Sequence, residues 1–190
     1  MEPTQTTVDL RTEAIKNGAI WGGISLVIFL ITWYIMPSLM SSYAYGGLNL
    51  VIGIALAVFF CIDMRKKAGG YWTFGESLFK IFVMFLTSMA IVYIFTILFG
   101  KFIDTSYPST MKEMILTKTE GTFKSLGLAD EALDKAMEST NESLDKQFTP
   151  TFSQAIVGFG ISAVFYFIGA IIFALIFKRN RPVTLAPIAA

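Results

Sequence analysis

The stretch SLFKIFVMFLTSMAIVYIFTILF, residues 77–99, carries one charged side chain, Lys80, close to its start. A charge at bilayer depth costs about 2.5–3.5 kcal/mol even on insertion scales, so an uncharged run of this length predicts a membrane-spanning helix. Three further runs, 18–36, 46–62 and 154–177, have no charge at all. At about 1.5 Å of rise per residue, segments of 17 to 24 residues reach roughly 25–36 Å and cross a hydrocarbon core near 30 Å. The expected fold is an all-α membrane protein. It has four transmembrane helices, with an external helical hairpin inserted between the third and fourth.

Composition points the same way. Of 190 residues 54% are hydrophobic and 18 are Phe, well above a soluble domain of this size. The absence of His removes imidazole from any metal site or general base. Cys61 is the single cysteine and can form no internal disulfide. The first run follows Arg11 and Lys16 and has the flanks of a signal peptide. It is longer than the usual signal core and ends in Trp33 and Tyr34, so it is expected to be a retained span.

Orientation follows from the basic residues. Arg11 and Lys16 precede the first span, Arg65, Lys66 and Lys67 follow the second, and Lys178, Arg179 and Arg181 follow the fourth. All lie on one side of a four-span chain. The insert 100–153 holds six Lys, nine acids and no Arg. The positive-inside rule therefore predicts a cytoplasmic segment 1–16, a membrane domain 17–177 with an external insert 100–153, and a cytoplasmic tail 178–190.

Within the spans the signals concern packing. Gly18 and Gly22 in the first, Gly53 in the second, and Gly158, Ser162 and Gly169 in the fourth are small residues that let helix backbones approach. Intramolecular packing is the simplest account of them, and a homo-oligomer seam the alternative. Asn49, Thr87, Ser88, Thr96, Ser162 and Tyr166 supply interhelical hydrogen-bonding groups, or would line a wet path in a transporter.

The turn between the second and third spans is Arg65-Lys66-Lys67-Ala68-Gly69-Gly70-Tyr71-Trp72-Thr73-Phe74-Gly75-Glu76. The glycine pair suits a tight reversal at positive φ. Thr73 and Glu76 have capping-box spacing at a helix start. Arg65, Lys66, Lys67 and Trp72 are candidates for topology anchoring or lipid-headgroup contact. In the insert, Pro108 opens a first helix carrying Met111, Met114, Ile115, Phe123 and Leu126, interrupted by Gly121 and closed by Gly127. Asp130 is expected to cap a second helix, from Glu131 to about Lys146, with Leu133, Met137 and Leu144 on its apolar side. The pair is expected to pack together or lie on the membrane interface.

This four-span plan resembles the domain-of-unknown-function family 4199. The likeness lies in the RKKAGGYWTFGES turn (65–77), with Gly69-Gly70 ahead of Phe74, and in a long helical insert ending in Thr149-Pro150. The resemblance implies a small bacterial inner-membrane protein and carries over no catalytic residue. No catalytic, cofactor-binding or metal-binding residue stands out, so the chain is expected not to be an enzyme and to need no cofactor. The expected function is protein or lipid interaction as an accessory or scaffolding component. The expected partners are membrane lipids, with a second copy or another membrane protein possible and nucleic acid not indicated. An oligomeric small-solute transporter or channel is the alternative.

A cysteine placed at Ser139 is expected to react with a membrane-impermeant maleimide in intact cells from which any outer barrier has been stripped. Labelling only after the cytoplasmic membrane is opened would reverse the orientation.

Overall fold

The computed structural model describes residues 9–180. Arg181, the rest of the expected tail and the first eight residues lie outside the described residues. The chain forms helices α1 (Leu10–Ile35), α2 (Pro37–Met40), α3 (Tyr43–Lys67) and α4 (Phe74–Leu98). A π-turn (Phe99–Ile103) follows, then α5 (Tyr107–Ser125), α6 (Asp130–Phe148) and α7 (Phe152–Phe177). Four of these, α1, α3, α4 extended by the π-turn, and α7, are long and apolar enough to cross a membrane.

The long helices exceed the uncharged runs at most ends, and local chemistry explains it. Asp9 caps α1 by accepting from the Arg11 N–H at 2.9 Å, so the helix begins inside the segment expected to precede it. Ser42 caps α3. Thr73 and Glu76 form the expected capping box on α4, and Thr151 with Gln154 forms a second on α7. Gly69 and Gly70 turn the chain at φ +80° and +84°.

The order of the contacts gives the directions of the helices. Gly18 meets Met84 and Thr87, Gly22 meets Ile91, and Phe29 meets Phe95, so α1 and α4 run parallel. Phe85 meets Tyr166 and Phe173 whereas Tyr93 meets Phe159, so α4 and α7 run antiparallel. Helix α4 is thus central. Helix α3 joins through Ala57, Phe60, Cys61 and Met64, all buried near its C-terminal end. Its other half diverges, with Leu50 and Val51 about two-thirds exposed. The outward faces of α7 are equally apolar, Phe165 and Ile176 among them. Such surfaces suit hydrocarbon as solvent.

At the end holding the termini, Glu13 and Asp63 both pair with Lys67, at 2.5 and 2.8 Å. Trp72 and Arg179 exchange two backbone hydrogen bonds of 2.8 Å, tying the start of α4 to the exit of α7. The Trp72 ring is 1% exposed inside the core with Met64 and Phe177, so it cannot meet a lipid headgroup from there. Arg65 lies 5.9 Å over the Phe177 ring, Lys66 is exposed, and Lys80 lies over Phe79.

The tightest helix contact is at Gly18, where a Cβ would stand 2.5 Å from the Met84 carbonyl oxygen and 2.8 Å from Thr87 Cβ. Gly23, five residues on and so on another face of the helix, has nothing within 4 Å. Gly18→Ala should therefore destabilise the bundle by about 1–3 kcal/mol through forced separation of α1 and α4. Gly23→Ala should be neutral or slightly stabilising. Thermal unfolding in detergent compares them, and equal midpoints would contradict this packing.

Candidate binding cleft at the hairpin end

The end opposite the termini is built around the π-turn. The Asp104 N–H donates to the Phe99 carbonyl at 2.8 Å, a wide i→i+5 closure that ends α4. Gly100 is required there, because a Cβ would sit 2.9 Å from the Pro108 ring. The chain then enters α5 at Tyr107, which packs edge-on against Trp33 (5.0 Å between ring centroids), Phe29 (5.4 Å) and Phe99 (5.5 Å). Phe148, at the end of α6, meets the same ring at 5.8 Å. Edge-to-face pairs of this kind add about 0.5–1.5 kcal/mol each beyond area burial. Burial pushes the Tyr107 phenol to about 12, so it remains neutral.

Asp104 latches α1 to this turn. Its carboxylate accepts from the Trp33 indole N–H at 2.8 Å and from the Ser106 hydroxyl at 2.6 Å and N–H at 3.1 Å. The Ser106 hydroxyl, then the indole, hold its carboxyl below the ordinary value of 3.8.

The two hairpin helices pack on each other as expected, with Met111, Leu133 and Leu144 buried and Lys112 paired to Asp145 at 2.5 Å. Helix α5 runs unbroken through Gly121 and ends at Ser125, with Leu126 as its C-cap and Gly127 just beyond at φ +74°. The residue at the N-cap of α6 is Ala129 rather than Asp130. Asp130 sits one position later, where its charge still favours the helix dipole. Lys118 lies 5.5 Å over the Tyr43 ring and links the hairpin to the start of α3.

Two clefts open beneath the hairpin, sharing Ile97 and Phe148 between them. The smaller, about 550 Å³, is lined by Lys101, Ser109, Lys112, Asp145 and Thr149 among others. The larger, about 780 Å³, lies between α4 (Tyr93, Thr96), α6 (Lys146, Gln147) and α7 (Ser153, Gln154, Val157, Ile161, Ser162). Its lining changes along α7 from polar to apolar. Gly158 leaves room for Tyr93, whose hydroxyl donates to the Ala155 carbonyl at 2.9 Å; a Cβ at Gly158 would be 3.0 Å from the Tyr93 hydroxyl oxygen. One cation and several amides and hydroxyls at a cleft mouth, above an apolar throat, offer charge and hydrogen bonds for recognition.

Of the residues singled out from sequence, Thr96, Gly158 and Ser162 come together in this cleft. Gly18 and Gly22 face α4, Gly53 lies 3.7 Å from Trp21, and Gly169 lies 3.6 Å from Phe85. Arg65, Lys66 and Lys67 lie at the opposite end. Of the groups a transporter path would use, Asn49 donates to the Tyr45 carbonyl and Thr87 to the Val83 carbonyl, each within its own helix. Sequence reasoning missed Lys146, Gln147 and Gln154. Their one local signal is that they flank the break at Thr149-Pro150.

Residues 16–179 match a protein-family model described as a protein of unknown function (DUF4199). The chain belongs to this family. The DUF4199 match takes in the transmembrane-length parts of all four apolar helices, the hairpin and both clefts. No curated protein and no solved structure matches the chain.

The Asp104 latch has a signed pH dependence. Its carboxyl is lowered on folding, so its stabilisation is complete above the ordinary value near 3.8 and fades as pH falls through the lower folded value. Near-UV circular dichroism from the aromatic cluster should weaken across that acid range. Asp104→Ala should remove the latch's share of this dependence and cost about 1–3 kcal/mol at neutral pH, because the Trp33 N–H loses its acceptor. An unchanged neutral-pH midpoint would sink the latch.

Proposed function

We propose that this chain is a multi-pass protein of a bacterial inner membrane that acts by interaction rather than by chemistry. It holds a membrane amphiphile beneath its hairpin, as an accessory or scaffolding component. The observation that carries this reading is the larger cleft. Its mouth is polar at Lys146, Gln147 and Gln154, its throat is apolar at Val157 and Ile161, and the change occurs within two turns of α7. Val157 and Ile161 are more than half exposed, so the throat opens sideways onto the lipid-facing surface. An amphiphile has the same change of polarity over a similar length.

The orientation proposed from sequence puts the hairpin outside and both termini in the cytoplasm. It is supported by the clustering of Arg65 over Phe177, Lys67 with Glu13, and Arg179 with the Trp72 backbone at one end of the bundle. On that orientation the cleft lies at the outer interface.

A photoactivatable phospholipid in nanodiscs tests the reading. Adducts should concentrate on peptides containing Tyr93–Ile97 and Val157–Ser162, and Ile161→Trp, which fills the throat, should reduce them severalfold. Adducts distributed evenly over the exposed faces of α3 and α7 would show an ordinary lipid boundary, and the proposed cleft function would fail.

A further inference from the structure

We infer that the larger cleft selects an anionic phospholipid, with the phosphate against Lys146 and one acyl chain along Val157 and Ile161. This rests on the amphiphile reading and adds the class of headgroup.

Charge decides it. Lys146 is the one ionised side chain among the residues lining the larger cleft, and none of them is acidic. Its nearest acid, Glu142, is 4.0 Å away, with both side chains more than three-fifths exposed, so the pair is weak and Lys146 is available. Of the other hairpin lysines, Lys118 lies over the Tyr43 ring, outside the cleft, and three are held by acids. Lys112, Lys124 and Lys135 are held by Asp145, Glu120 and Glu131 at 2.5, 2.6 and 2.8 Å.

Hydrogen-bonding groups agree with the charge. The Gln154 side-chain oxygen accepts from the Thr151 N–H at 2.9 Å, which leaves its amide nitrogen as a donor. Gln147 and Ser153 add an amide and a hydroxyl at the same mouth. A phosphodiester offers one negative charge and two free oxygens to such a set. The cationic half of a zwitterionic headgroup would find no carboxylate in the lining, and the nearby Glu142 is shared with Lys146, so the cleft favours the anionic class. Below the mouth, Gly158 presents no side chain, and Val157 and Ile161 form an open apolar wall for one chain.

The test is native mass spectrometry of the full chain released from nanodiscs of equal phosphatidylglycerol and phosphatidylcholine. Retained phosphatidylglycerol should exceed phosphatidylcholine about fivefold, the effect of one basic residue at a membrane surface. Lys146→Gln, at an exposed position, should keep the thermal midpoint and bring the ratio to about one. Lys124→Gln, on the hairpin but outside the cleft, should leave the preference intact. Equal retention by the native chain, or a preference that survives Lys146→Gln, would overturn the headgroup assignment while leaving the amphiphile reading standing. Loss of the preference in excess inorganic phosphate would assign the mouth to free phosphate and overturn the lipid commitment. Retention that Ile161→Trp leaves untouched would instead remove the amphiphile reading itself.

Discussion

The close approach of α1 and α4 at Gly18 and Gly22 is the constraint on which the remaining packing depends. Between helices surrounded by lipid, apolar burial supplies no net drive, because a neighbouring helix and an acyl chain are equally oily. Attraction must come from many close atom pairs, and those need a thin helix face. Gly18 lets the backbone of α1 reach the Met84 carbonyl, and Gly22 seats Ile91. Once that register is set, Phe29 falls opposite Phe95 and Phe99, and Trp33 comes level with Asp104. The far end of the molecule is therefore positioned by contacts several turns away.

The hairpin is seated by a second device. Widening the last turn of α4 lets Asp104 turn back toward α1 while Tyr107 enters the aromatic cluster. Rings meeting edge to face on three sides hold α5 at a fixed angle, and Phe148 brings the end of α6 to the same centre. The clefts follow as spaces left between a hairpin held at its base and two helices that continue below it.

Much of this was legible in the sequence because it is governed locally. Uncharged runs gave the four long helices. Thr73 with Glu76 marked the start of α4, and Gly69, Gly70 and Gly127 marked turns at positive φ. What was not legible depends on distant partners. Trp72 reads as an interfacial aromatic, whereas the fold packs its ring with Met64 and Phe177 and pairs its backbone with Arg179, more than a hundred positions later. Lys146 looks like any solvated lysine until the fold places it with Tyr93, Gln154 and Ile161 in the lining of one cleft. The Thr151–Gln154 box was readable by the same rule as Thr73–Glu76, but the neighbouring Thr149-Pro150 drew attention as the helix boundary.

The backbone pair between Trp72 and Arg179 has a mechanical consequence. It closes α4, the hairpin and α7 into a ring, covalent at one end and hydrogen-bonded at the other. Any force that tilts the hairpin must spread or shear two long rods held at both extremities. Those rods cross the greater part of the protein, so a displacement of the hairpin would be felt as tension at a two-bond clasp at the other end of the bundle.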